Sequence, residues 1–157
     1  MDGGPLRIGG CDVPFDRHLA GHSDADVLLH AITDALLGAA ALGDIGEMFP
    51  NTDPGNRGKD SGVMLRAAYD KVRDRGYRIV NLDCVVHAEL PKISPHKNQI
   101  RHAIAGLLEL SLDQVALKGK TGEGVGAVGK GEIVEAQCIV LLETESSGEP
   151  GDKPGVN

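Results

Sequence analysis

The chain has no tryptophan, and its 157 residues include only two tyrosines and two phenylalanines. It therefore offers no aromatic stripe on which unstacked bases would lie. Basic clusters are also missing, and the net charge is −7. Together these features exclude nucleic acid as a partner, so any anion must be captured locally. No run of eighteen apolar residues occurs, nor a basic start followed by an apolar segment. The reading is accordingly no membrane partner and a cytoplasmic location. The cysteines are Cys11, Cys84 and Cys138, an odd and scattered set that fits a reducing compartment. Cys84 and Cys138 fall in strand-like segments, where a thiol serves as a small hydrophobe.

What is present reads as one domain over residues 1–145, followed by a disordered tail, 146–157, that has Val156 as its one large apolar residue. Leu6–Ile8 and Cys11–Pro14 read as a hairpin broken at Gly9 and Gly10. Ser61 is read as the cap of a helix that turns Leu65, Ala68 and Val72 inward and stops at Gly76. From Arg78 to about Ala88, Val80, Leu82, Cys84 and Val86 alternate with polar residues as in a strand with one core face. Ser94 followed by Pro95 reads as an N-cap opening a helix with Ile100, Ile104, Leu107 and Leu108 inward. A strand at Val115–Lys118, a glycine-rich loop from Gly119 to Gly131 and a strand from Ile133 to Leu142 complete the pattern. The fold class is α+β, a mixed sheet with helices on one face. Ile133, Ile139 and Leu141 make the other face apolar enough to want another subunit.

The segment from Gly21 to Pro54 holds the most chemistry. An apolar helix containing Leu28, Leu29, Ile32, Leu36 and Leu37 carries Ser23, Asp26, His30 and Asp34 at offsets of three, four and four, hence in one column. Ser23 with Asp26 reads as a capping box at its start. Two readings of the column stand. In one, the polar residues cap and hydrogen-bond within the core. In the other, burying them demands a partner such as a metal or an anion.

The glycine-rich loop fails both nucleotide-site motifs. A P-loop requires glycine five positions before Gly119, where Gln114 stands. Gly124, Gly126 and Gly129 satisfy G-x-G-x-x-G, but a strand pattern rather than a helix follows. What survives is a cradle in which Lys120, Thr121 and backbone N–H groups meet phosphate and Glu123 holds a divalent cation beside it. A plain flexible connection is the competing reading.

Three segments carry a resemblance in order and spacing: HSDADVLLHAITDALLGAAALGDIGEMFPNTD, AELPKISPHKNQIR and KGKTGEGVGAVGKGE. From about Gly4 to Glu143 the chain resembles the 2-C-methyl-D-erythritol 2,4-cyclodiphosphate synthase family of non-mevalonate isoprenoid biosynthesis. The resemblance implies a homotrimer with an active site at each subunit interface. It also implies a phosphorus–oxygen lyase, in which the 2-phosphate of 4-diphosphocytidyl-methylerythritol 2-phosphate attacks the β-phosphorus and releases CMP.

By position, His22 and Ser23 match the phosphate-contacting pair, and His22 and Thr121 the stabilisers of the transition state. Asp44, Ile45 and Gly46 match the ribose turn, and Phe49, Pro50, Asn51, Thr52 and Asp53 the loop over the methylerythritol part. Ala88, Pro91, Lys92, Ile93 and Ser94 match the cytosine pocket, Lys120 and Thr121 match positions able to meet phosphate, Glu123 matches the magnesium ligand, and Lys130 stands at a further substrate-binding position. Among the cofactors implied, zinc would take His30, and magnesium or manganese would take Glu123.

The family opens with a strand ending in G-x-D-x-H that supplies two further zinc ligands, and the sequence begins after it. The zinc site is therefore expected to be incomplete, since a catalytic zinc uses three protein ligands. Asp12 and His18 are weak substitutes by position. Ala127 and Lys130 also depart from the aromatic residue and arginine often found on the trimer axis. The alternative reading is thus a truncated, catalytically impaired homologue that still binds cytidine nucleotides.

Overall fold

Hairpin β1 (Leu6–Ile8) and β2 (Cys11–Val13) opens the computed structural model, which describes residues 1–20, 25–56 and 60–145. Gly9 and Gly10 form its turn at φ values of 61° and 81°. A two-residue hairpin of that kind needs two left-handed positions, which glycine adopts without strain. Helix α1 (Val27–Ala39) follows, then the single turn α2 (Ile45–Met48) and helix α3 (Ser61–Asp74).

The second half holds β3 (Tyr77–His87), α4 (Lys97–Leu108), β4 (Val115–Lys120), the short turn α5 (Gly126–Gly129) and β5 (Glu135–Thr144). The three long strands form one mixed sheet in the order β4-β3-β5. The β3/β4 pair is parallel, with α4 as its crossover, and β3/β5 is antiparallel. Helices α1, α3 and α4 pack on one face of this sheet, against β5, β3 and β4 respectively. Leu82, Cys84 and Val86 of β3 are buried there against Leu28, Ile32, Leu65 and Ile104. Arg101 on α4 fixes the entry to β4 by donating to the carbonyls of Leu112 and Val115 at 2.9 and 2.7 Å.

The fold is the α+β mixed sheet expected from the sequence, and the face away from the helices exposes apolar side chains. Ile139 is 74% and Leu141 57% exposed.

Several boundaries differ from the periodicity reading, each for a physical reason. Helix α1 starts at Val27 with Asp26 as its N-cap, so Asp26 is not the third residue of a box capped by Ser23. Ala25, at a φ of 60°, lies outside the helix, and Ser23 falls outside the described residues. Asp60, rather than Ser61, caps α3 and accepts from Gly62 N–H at 2.7 Å. Ser94 makes no capping bond; Ser94–His96 is a 3-10 turn leading into α4. In β3 the residue turned inward near its start is Ile79, not Val80. Ile79 pairs with Leu142 and Asn81 with Leu141, so Val80 is the extra residue of a bulge, and a bulge reverses strand parity. β4 runs on to Lys120, and β5 spans Glu135–Thr144 rather than Ile133–Leu142. Residues 146–157, read as a tail, lie outside the described residues.

Cys84 and Cys138 sit directly opposite each other on β3 and β5, their sulfurs 3.4 Å apart. The neighbouring thiol and burial hold Cys138 well above the ordinary thiol range, so it remains a protonated packing residue.

The hairpin and helix α1 are joined through one carboxylate. Asp26 is 0% exposed, and it accepts from Gly9 N–H at 2.9 Å, Gly10 N–H at 2.7 Å and Leu29 N–H at 3.0 Å. Asp26→Ala should lower unfolding free energy by about 3–5 kcal/mol, because three amides lose a charged acceptor in a buried setting. Asp26→Asn, which keeps one carbonyl oxygen, should cost roughly half of that. Urea titration measures both, and an Ala variant within about 1 kcal/mol of the parent would remove this carboxylate from its structural role.

Candidate functional site

Two clefts gather the expected residues. The first, of about 530 Å³, lies between the start of α1, the α2 turn and the segment before β5, and is lined in part by His30, Ile45, Gly46, Phe49 and Asn51. The second, of about 310 Å³, lies where β3 and β4 leave the sheet together, and is lined by Ala88, Lys92, Ile93, Ser94, Pro95, Gly119, Lys120 and Thr121. No residue lines both.

In the first cleft the ribose-type turn is built on two carboxylates. Asp44 caps α2 by accepting from Glu47 N–H at 2.8 Å, and Asp34 on α1 accepts from Ile45 N–H at 2.7 Å. Asp53 closes a smaller turn by accepting from Gly55 N–H at 2.9 Å. Thus Asp44 and Asp53 spend one oxygen each on the backbone, and the partly exposed α2 turn is held in place by α1. Pro50 and Thr52 stand exposed in the same loop.

The polar column resolves into separate jobs. Asp26 and Asp34 are held by backbone amides, so burial of this column does not by itself call for a metal or an anion. His30 remains on the cleft wall, with its Nε2 2.7 Å from the Ser61 hydroxyl. Sequence reasoning missed Ser61 because it assigned that hydroxyl to a cap. With Asp60 in the capping position, Ser61 Oγ is left to meet His30. Among the described residues, no group of three or more His, Cys, Asp or Glu side chains is placed to hold a metal ion. His22 and Ser23 lie outside the described residues.

The second cleft is set by backbone. Ala88 is 2% exposed, and its N–H donates to the Lys120 carbonyl at 2.9 Å, one step beyond the β3/β4 ladder. Gly119 lies so close to Ile93 that a Cβ there would stand 2.9 Å from Ile93 Cβ. Glycine is therefore required for the two segments to close on each other.

Past Lys120, several of the amides that the sequence counts toward a phosphate cradle are engaged within the loop itself. Gly122 N–H donates to Glu89 at 2.9 Å, Glu123 N–H to Thr121 Oγ1 at 3.3 Å and Val125 N–H to the Gly122 carbonyl at 3.0 Å. These amides are spent on shaping the loop, which leaves the side chains of Lys120, Thr121 and the exposed Glu123 to meet a ligand. Glu123 takes a φ of 52°, and Gly126–Gly129 coils into one helical turn, too short for a dinucleotide-binding helix. Glu89 was not singled out from the sequence, since nothing in its spacing announces a contact across to Gly122. Lys130, near the end of the loop, lines a third cavity of about 450 Å³ with Arg17, His18 and Leu90. Pro91 is half-buried beside the second cleft.

Comparison with known proteins places the chain in a family. The YgbB family profile matches residues 1–143. The 2-C-methyl-D-erythritol 2,4-cyclodiphosphate synthase of Gemmatimonas aurantiaca is 54% identical over 131 residues, 83% of this chain and 79% of the relative. A solved 2C-methyl-D-erythritol-2,4-cyclodiphosphate synthase in its CDP-bound form superposes with a TM-score of 0.84 at 39% identity, covering 91% of this chain and 93% of that one. The bifunctional IspDF of Campylobacter jejuni gives a TM-score of 0.88 at 38% identity, with 92% of this chain matching 39% of that longer one. On the strength of both the sequence match and the superposed fold, the chain belongs to the YgbB family of 2-C-methyl-D-erythritol 2,4-cyclodiphosphate synthases.

Proposed function

We propose that the two clefts are halves of one catalytic site, completed between neighbouring copies of the chain. The activity is that of a cyclodiphosphate synthase, a lyase of the non-mevalonate isoprenoid pathway: 4-diphosphocytidyl-2-C-methyl-D-erythritol 2-phosphate closes to the 2,4-cyclodiphosphate and CMP leaves. The observation that carries the division of the site is that the ribose-type turn and the base-type segment line different cavities of one copy. A homotrimer joined through the apolar sheet face would bring the first cleft of one copy to the second cleft of the next. The exposure of Ile139 and Leu141 supports that arrangement.

In this reading the residues of the second cleft, Ala88, Lys92, Ile93 and Ser94, with Pro91 beside them, hold cytosine. The β3/β4 pairing sets their shape, and the base is met largely by backbone. Asp44, Ile45 and Gly46 receive the ribose hydroxyls, for which a carboxylate with an oxygen to spare is the natural acceptor. Phe49, Pro50, Asn51, Thr52 and Asp53 lie over the methylerythritol part. Lys120, Thr121 and Lys130 meet the phosphates together with His22 and Ser23.

The chemistry asks a phosphate to attack a diphosphate, so repulsion must be neutralised and the line of attack held. Thr121, hydrogen-bonded within the loop, presents its hydroxyl at a fixed place and with His22 stabilises the charge that develops. Glu123 suits magnesium or manganese, which binds through one or two carboxylates plus substrate phosphates. When bound, that ion supplies positive charge to the diphosphate. Zinc is a different case: His30, whose Nε2 meets the Ser61 hydroxyl, would supply one ligand, and no group of three or more His, Cys, Asp or Glu side chains among the described residues is placed to hold the ion. The CDP-bound relative supports a cytidine nucleotide as ligand rather than as a remnant of lost function. No described helix is long and apolar enough to cross a membrane, and the three free thiols favour the cytoplasm.

Asp44→Ala should weaken CMP binding by about 1–3 kcal/mol through loss of hydrogen bonds to a charged acceptor. Calorimetry with CMP and magnesium reads this, and unchanged affinity would move the ribose elsewhere. Glu123→Gln keeps the shape and removes the charge, so it should lower turnover by about a hundredfold while leaving CMP affinity within about threefold. Equal losses in both would make Glu123 a nucleotide-binding residue instead. Light scattering should give roughly three times the 16.4 kDa chain mass, and Ile139→Glu should reduce it to one. A parent chain that runs as a clean monomer would dismantle the shared site.

A further inference from the structure

Glu89 belongs to neither group of ligand-binding residues, yet it spans the gap between them. It follows Ala88, the last residue tied to the β3/β4 ladder, and so sits where the base-binding segment turns away from the phosphate loop. Its Oε1 reaches back across that divergence to accept Gly122 N–H at 2.9 Å in a partly buried contact. Gly122 has no slack of its own, since a Cβ there would stand 2.4 Å from Gly129 N. The next residue is Glu123, locked at a φ of 52° by the Thr121 hydroxyl. A displacement at Gly122 therefore passes directly to Thr121 and Glu123.

The choice of a carboxylate here needs a reason. A negative charge beside a loop that meets a diphosphate opposes binding through like-charge repulsion. Simple electrostatics would favour a neutral or basic side chain. What the side chain supplies despite its charge is an acceptor oxygen at the end of a tether long enough to cross from residue 89 to residue 122, and it is this reach that the position uses.

We propose that Glu89 is a positioning residue that sets the span between the cytosine pocket and the phosphate loop, and thereby makes the site prefer a cytidine diphosphate over a monophosphate. The proposal rests on the reading of the second cleft and its loop given above. CMP ends at its α-phosphate and needs the base pocket most. CDP also reaches the loop, and it alone reports where Thr121 and Glu123 stand. Glu89 touches neither nucleotide. It acts through Gly122.

The test uses the full chain and titrates CMP and CDP separately, each with magnesium, by calorimetry. E89D keeps the charge but shortens the tether by one methylene, so CDP affinity should fall about tenfold while CMP affinity stays within about threefold. E89Q loses the charge but keeps an acceptor oxygen at full length, and should remain within about threefold of the parent for both. A thermal melt of each variant confirms that the comparison is between folded proteins.

An E89Q variant as impaired toward CDP as E89D would overturn the proposal, since charge and not reach would be at work. Parallel loss of CMP and CDP in E89D would overturn it also, because Glu89 would then merely support the base pocket. E123Q separates this from the underlying assignment. If E123Q abolishes the preference for CDP and E89D does not, the loop reading stands and the role of Glu89 falls. If the parent chain shows no preference for CDP, the loop assignment fails and Glu89 falls with it.

Discussion

Everything on the helical side of the sheet depends on how helix α1 is seated, and that is decided by the buried carboxylate of Asp26. An ionised group at the base of an apolar helix is costly to desolvate, and only a full set of donors makes it tolerable. The Gly9-Gly10 turn and the first turn of α1 supply those donors, so the charge converts two weak elements into one unit. A three-residue hairpin is not stable alone. Clamped to α1, it covers the helix and the start of α4 with Ile8, Cys11 and Val13. The same seating presents His30 to the first cleft and Asp34 to the α2 turn. The function-bearing face of α1 is thus a consequence of its capping.

Much of this was legible in the sequence, though for uneven reasons. The helices α3 and α4 and the strand β3 declare themselves by period, because Leu65, Ala68 and Val72, or Leu82, Cys84 and Val86, must all face one way. Ends were less legible. Asp60 and Ser61 are both good caps, and only the placement of His30 shows that the serine hydroxyl is engaged elsewhere. Likewise Val80 is as apolar as Ile79, so alternation alone cannot reveal a bulge that exchanges them. The glycine-rich loop was the hardest. Its glycines suggested open amides, whereas Glu89, Thr121 and the Gly122 carbonyl take up those of Gly122, Glu123 and Val125, and such pairings over long or irregular separations leave no periodic trace.

The site residues were legible as groups rather than as an assembly. Local motifs group Asp44 with Gly46 and Ala88 with Lys92; in the structure Asp44 caps the α2 turn that holds Gly46, and Ala88 and Lys92 line one cavity. What no motif states is that the two sets occupy different cavities. That separation is a property of the sheet, whose strands carry one set away at their carboxyl ends while the helices support the other.

The parallel pairing of β3 with β4 has a consequence for how such a site can vary. Its register places His87 opposite Lys120, so the segments that follow leave the sheet at the same height. Their relative level is set by backbone hydrogen bonds, which do not depend on what the side chains between Leu82 and His87 or between Val115 and Lys120 are. The pair acts as a ruler. Substitutions at its exposed positions leave the ruler unchanged, whereas a single inserted or deleted residue in either strand shifts one segment by about 3.3 Å and turns its side chains to the opposite face. Lineages of this domain are therefore free to drift at the exposed positions of these strands but are held to their lengths, to their apolar core face and to Gly119.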